Sequence, residues 1–109
     1  MKKPAENRRS GPPRRVEYAK PFPKDWVRLQ RSGRYDMRLL KEVMLLLIAG
    51  DGPLGPEWRD HPLKGDWAGH RECHVGGDFL LIYRVQDDAP NSAAIVFVRA
   101  GTHADLFRE

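Results

Sequence analysis

Three of the four histidines in this chain of 109 residues lie between Asp60 and Asp78, in D-H-P-L-K-G-D-W-A-G-H-R-E-C-H-V-G-G-D. The fourth, His103, follows in G-T-H-A-D-L-F. Imidazole gives and takes protons near neutral pH, so the gathering suits general acid–base work. One reaction that needs such groups is cleavage of RNA by its own 2′-hydroxyl. A base must take that proton, an acid must protonate the leaving 5′-oxygen, and donors must meet the charge growing on the phosphate. His61, His74, Asp78 and His103 are the candidates for the acid–base pair. Arg84 and Arg99 are candidates for holding phosphate, and Phe79 and Phe107 for stacking on a splayed base.

Each of these residues also has an ordinary reading. Asp60 before His61-Pro62 is turn chemistry, and Arg71 with Glu72 reads as a solvated strand face. Arg84 and Arg99 can sit in surface ion pairs, worth roughly 0–1 kcal/mol each. Trp67, Tyr83 and Phe97 read as core, and Cys73, with no partner motif, as a small buried hydrophobe. Zinc is the other chemistry that histidines and aspartates serve. His70 and His74 are four apart, but on a strand they would stand ~13 Å apart at a rise of ~3.3 Å per residue. No metal or other cofactor is therefore expected.

The elements that position these residues follow from periodicity. Arg15 to Ala19 alternates as a short first strand. Pro23-Lys24-Asp25 opens a helix that stops at Ser32-Gly33. Met37, Leu40, Val43, Met44, Leu47 and Ile48 form the stripe of a second helix over Asp36 to Ile48. Leu39, Leu45 and Leu46 suggest burial on more than one side of it. After a loop to Lys64 the period becomes two, with strands over Trp67–Val75 and Phe79–Val85 about a Gly76-Gly77 turn. A longer turn over Asp87–Ser92, a strand over Ala94–Arg99 and a short helical turn ending at Phe107 complete the chain. The predicted class is α+β: a helical hairpin packed on a small antiparallel sheet, in the order β-α-α-β-β-β. With that turn, His70, Glu72, His74, Phe79, Leu81 and Tyr83 would share one face.

Composition narrows the setting. Positions 1 to 20 carry seven basic residues against two acidic ones, while the whole chain is +4, so the basic balance belongs to the start of the chain. Residues 1–13 are polar, basic and interrupted by Pro4, Pro12 and Pro13, and read as a disordered extension; residues 14–109 read as one domain. A basic arm suits a polyanionic partner such as RNA. A single cysteine fits a reducing cytoplasm rather than a disulfide framework. No stretch approaches the ~20 apolar residues of a membrane span, and no secretory leader is evident.

The blocks D-H-P-L, C-H-V, L-I-Y and G-T-H-A-D-L-F, in this order and spacing, closely resemble the YafQ branch of the RelE-like toxins. The likeness runs from about Tyr18 to Phe107. It implies the toxin of a bacterial type II toxin–antitoxin pair: a ribosome-dependent endoribonuclease that cuts messenger RNA in the A site without a metal and stops translation. It implies a cognate antitoxin, and contact with operator DNA only through the antitoxin complex. The family's functional positions fall on His61, His74, Asp78, His103 and Phe107. Glu72 stands where the family can have aspartate and Phe79 where it can have tryptophan, so codon preference is open while the chemistry is retained. On this reading His103 is the general acid, His74 or Asp78 helps activate the 2′-hydroxyl, and His61 steadies the phosphate with Arg84 or Arg99. The competing reading is a catalytically inactive toxin-like module that keeps antitoxin and operator binding. A zinc hydrolase is the third.

Overall fold

The computed structural model describes residues 12–87 and 93–107; residues 1–11, 108–109 and all but Asp87 of the turn expected over Asp87–Ser92 lie outside them. The elements are β1 (Arg15–Tyr18), α1 (Pro21–Ser32), α2 (Met37–Ala49), β2 (His61–Pro62), β3 (Arg71–Gly76), β4 (Phe79–Asp87), β5 (Ala93–Gly101) and α3 (His103–Phe107). Single 3-10 turns at Pro56–Trp58 and Gly65–Trp67 flank β2. The α+β class and the element order agree with the sequence, with β2 added as a two-residue strand.

Both helices begin and end for local reasons. Pro21 and Pro23 occupy the first turn of α1, where a missing N–H costs nothing. Phe22, Asp25 and Leu29 face inward from it. Asp36 caps α2, its carboxylate accepting the Leu39 N–H at 3.0 Å. At the other end, the buried Arg14 guanidinium donates to the Leu47 and Gly50 carbonyls at 3.0 and 2.9 Å. These carbonyls would otherwise lack partners at a helix C-terminus. Leu40, Val43, Met44 and Leu47 are buried along one stripe of α2, each worth ~1.5–3 kcal/mol of apolar transfer. The expected burial on more than one side is only partial: Leu39 and Leu46 are half-buried and Leu45 is exposed.

The strands form one sheet in the order β1-β5-β4-β3-β2. It is mixed rather than wholly antiparallel, because β1 runs parallel to β5, with Arg15 opposite Ala94 and Tyr18 opposite Phe97. A parallel partner needs a long crossover, which the two helices and the β2–β4 segment supply. The helices cover one face, where Phe22, Leu29, Leu40, Val43, Leu47, Leu81, Tyr83, Ile95 and Phe97 pack together. On the other face Leu80, Ile82, Val96, Val98 and Leu106 are covered by Leu63, Trp67 and Phe107. No described helix is long and apolar enough to cross a membrane.

The β3–β4 hairpin differs from the expected register by one residue. The turn is Gly77-Asp78, with Gly76 opposite Phe79, and Gly77 has φ 56°, as the first central position of a II′-type turn requires. A bulge at Val75 then sets His74 opposite Leu80 and Glu72 opposite Ile82. A slip of one residue exchanges the faces of a strand. Glu72 and His74 therefore share a face with Leu80 and Ile82, whereas Phe79, Leu81 and Tyr83 point to the helices. Trp67, expected at the start of a strand, lies instead in the turn before β3.

Candidate active site

Three elements bring three histidines around one carboxylate. His61 comes from β2, His74 and Glu72 from β3, and His103 from the first turn of α3. The Glu72 side chain is 4% exposed, and its Oε1 lies 3.2 Å from His61 Nε2 and 3.8 Å from His74 Nε2. Its Oε2 lies 3.9 Å from His103 Nε2 and has no hydrogen-bond partner. The three rings are neighbours, with centroids 6.3 Å apart for His61 and His74 and 6.1 Å for His74 and His103.

The opposite ring nitrogens explain this convergence. His61 Nδ1 is 2.7 Å from the Arg59 carbonyl, and His74 Nδ1 is 3.1 Å from the Gly77 carbonyl. A carbonyl only accepts, so each Nδ1 carries the proton. His103 Nδ1 lies 2.6 Å from Asp78 Oδ1, which also accepts the His103 backbone N–H at 3.2 Å. All three rings are thus held by Nδ1 and turn Nε2 towards Glu72. Orienting one nitrogen with a fixed acceptor is how an imidazole is given a defined working nitrogen. The His103 ring also faces Phe107, 5.8 Å between centroids, and Phe107 meets Trp67 edge-on.

The two hydrogen bonds from His103, side chain first and backbone second, hold the Asp78 carboxyl below the usual carboxylate range. A carboxyl lowered on folding contributes stability above its unfolded value of about 3.9 and loses it as pH falls through the folded value. The bond should therefore persist through neutral pH and open only in acid. Carboxyl-detected NMR titration is expected to place the Asp78 midpoint below about 3.9, returning towards it in His103→Ala. A native midpoint at the ordinary value would mean that the bond is not formed in solution.

A second network fixes α3. Thr102 and Asp105 cap it reciprocally: Asp105 Oδ2 accepts the Thr102 N–H, and Thr102 Oγ1 accepts the Asp105 N–H, both at 3.1 Å. Arg28 of α1 reaches across to Asp105 at 3.1 Å and to Asp25 at 3.2 Å. Asp25 accepts Arg99 Nε at 2.8 Å, Arg99 Nη2 at 3.0 Å and the Ala100 N–H at 3.1 Å. Burial acts to raise the Asp25 carboxyl, yet these donors hold it below its ordinary value. Gly101 sits in the middle of this clasp, where a Cβ would meet Asp105 Oδ2 at 2.9 Å. The network ties α1, β5 and α3 together just ahead of His103.

Against the sequence expectations, His61, His74, Asp78, His103, Glu72 and Phe107 are brought together. Phe79 is not with them. Its ring is buried on the helix side against Tyr35, 5.0 Å between centroids, because of the register change, so it is not placed to stack on a base. Arg99 is gripped in a fork by Asp25 and is not free for phosphate. Arg84 is half-buried on β4, two residues from Ile82 on the same face, with no acidic partner among the described residues. His70 lies apart, edge-on to Trp67. Asp60 is a buried anchor rather than a simple turn residue. Its carboxylate accepts Arg71 Nε at 2.6 Å, the Tyr83 hydroxyl and the Leu54 N–H at 3.2 Å. Cys73 is fully buried, and burial raises its thiol far above the usual range. Among the described residues, no set of three or more histidine, cysteine, aspartate or glutamate side chains is disposed to hold a metal ion.

Comparison with known proteins places the chain. Residues 14–108 match the family described as the bacterial toxin of type II toxin–antitoxin systems, YafQ. The mRNA interferase toxin YafQ of Escherichia coli K12 is 43% identical over 94 residues, 86% of this chain and 96% of that protein. A crystal structure of the E. coli DinJ–YafQ complex contains a chain 42% identical, with a TM-score of 0.72, covering 86% of this chain and 98% of that one. A metal-bound toxin from Helicobacter pylori superimposes with a TM-score of 0.69 at 36% identity, covering 85% and 98% of the two chains. The chain belongs to the YafQ family of toxins of bacterial type II toxin–antitoxin systems.

Proposed function

We propose that this chain is an mRNA interferase that cleaves messenger RNA in the ribosomal A site by acid–base chemistry. The observation that carries this reading is the set of three imidazoles, each held through Nδ1 and each turning Nε2 to the same buried carboxylate. His74, with its proton fixed on Nδ1, offers the Nε2 lone pair to the 2′-hydroxyl. The 2′-oxygen attacks the adjacent phosphorus, and the bond from phosphorus to the 5′-oxygen breaks. His103 Nε2 delivers the proton that the leaving oxygen needs. Asp78 steadies the His103 cation rather than acting as the base, because its Oδ1 already accepts two hydrogen bonds from that residue. His61, nearest to Glu72, carries positive charge beside the phosphate when protonated, and Arg84 is the arginine left available for it. Phe107 offers a ring for a base beside His103.

The relatives support the antitoxin: a cognate antitoxin binds this chain, as DinJ is found with YafQ in E. coli. In this reading operator DNA is reached only through that complex. Ribosomes programmed with a defined message supply the test. A 5′ fragment ending in a 2′,3′-cyclic phosphate is the expected product. Intact message on programmed ribosomes would remove the enzymatic reading and leave the binding module.

A further inference from the structure

The histidine group borders a cavity that the cleavage step does not use. It has a volume of about 350 Å³ and is lined by Glu57, Trp58, Arg59, His74, Val75, Gly76 and Gly77. Its origin is topological. β2 pairs antiparallel with β3, so the chain just before β2 runs along the β3 edge past the bulge at Val75. The turn Pro56–Trp58 is thereby set opposite the residues that follow His74.

Three side chains give the cavity its chemistry. Trp58 packs partly on the helix-side core and lines the wall with an aromatic ring. Glu57 folds back over Gly55, where a Cβ would meet its Oε1 at 2.6 Å. Its carboxylate has no hydrogen-bond or ion-pair partner among the described residues. Arg59 has φ 51°, and the carbonyl of this left-handed residue is the one that holds His61. Arg59 lines the cavity, and its guanidinium has no acidic partner among the described residues.

We infer that this cavity receives the nucleobase of the nucleotide flanking the scissile phosphate on the His74 side. The inference rests on the RNA-cleavage reading above and assigns that site a means of selecting its substrate. Trp58 supplies an apolar wall for the base, and Arg59 meets the phosphate attached to that nucleotide. Glu57 reads the base edge. A carboxylate only accepts, so it favours bases with exocyclic amino groups: adenine, cytosine and guanine. Uracil offers a single N–H between two carbonyl oxygens, which repel the carboxylate.

The test compares the native chain with Glu57→Gln and Glu57→Ala on programmed ribosomes, using messages in which each nucleotide beside the cut is varied. Glu57 is exposed and makes no internal bond, so both variants retain the fold. The native chain is expected to disfavour uracil at one flanking position by about tenfold, the discrimination of one good side-chain–base pairing, and both variants to lose most of it. Cutting at the best message should persist. A native chain indifferent to uracil at both flanking positions would overturn the pocket, as would variants that keep the full preference. A native chain that cuts no message overturns the cleavage reading itself, and the pocket with it.

Discussion

His103→Ala is expected to cut message at least about 100-fold more slowly than the native chain, the effect of losing one general acid. The residue touches three parts of the site at once. Its Nδ1 and backbone N–H hold Asp78, its Nε2 faces Glu72, and its ring lies against Phe107. Its side chain is 47% exposed, so truncation removes little buried apolar surface and should leave the thermal midpoint almost unchanged. Single-turnover cleavage on programmed ribosomes, read beside a melting curve, separates the two effects. Growth arrest on induction should disappear with the activity. A variant that still cuts within about tenfold of the native rate would take the general-acid role from His103.

The second large effect concerns folding. Asp60→Ala leaves the Arg71 guanidinium, the Tyr83 hydroxyl and the Leu54 N–H without their shared acceptor. The Asp60 side chain is fully buried, and Tyr83 is 1% exposed. Breaking a buried pair strands the remaining partner, at a cost of about 3–5 kcal/mol. In a domain of this size that is a fall in melting temperature on the order of 15 °C. Asp60→Asn keeps the shape and an acceptor oxygen, and should lose less. Tyr83→Phe in the Asp60→Ala background should cost little further, because the hydroxyl has already lost its acceptor. Denaturant unfolding of the four proteins checks this, and a loss under about 1 kcal/mol for Asp60→Ala would show that the carboxylate does not anchor the sheet. His61 follows Asp60 directly, so this anchor also sets where β2 can place its imidazole.

Much of this architecture is legible in the chain because its signals are local. The stripe from Met37 to Ile48 and the cap at Asp36 define α2 with no knowledge of what it packs on. T-H-A-D at 102–105 carries its own capping pattern, and the blocks around His61, His74 and His103 carry the family resemblance. The failures have one physical cause: the information is not local. Whether Gly76 or Gly77 heads the turn depends on a bulge, and that single residue decides whether Phe79 faces RNA or the helices. Arg99 reads as a free cation until α1 brings Asp25 against it, 74 positions earlier in the chain. Asp60 looks like turn chemistry until the sheet sets Arg71 and Tyr83 around it. The parallel pairing of β1 leaves no trace in period-two alternation, because alternation does not report direction.

That parallel pairing bears on the order in which a newly made chain can become dangerous. β1 leaves the ribosome first, yet its hydrogen-bonding partner is β5, so Arg15 waits for Ala94. Contacts so far apart in sequence close slowly and late. β5, like β4, contributes to both cores, and α3 follows it directly. A nascent chain that has emerged only through β4 therefore has Glu72, His61 and His74 but neither the closed sheet nor His103. On the proposed roles it carries the base, His74, without the proton donor. On the proposed mechanism, synthesis itself acts as the timer: the site stays incomplete until the last strand is threaded between the first and the fourth and α3 follows it.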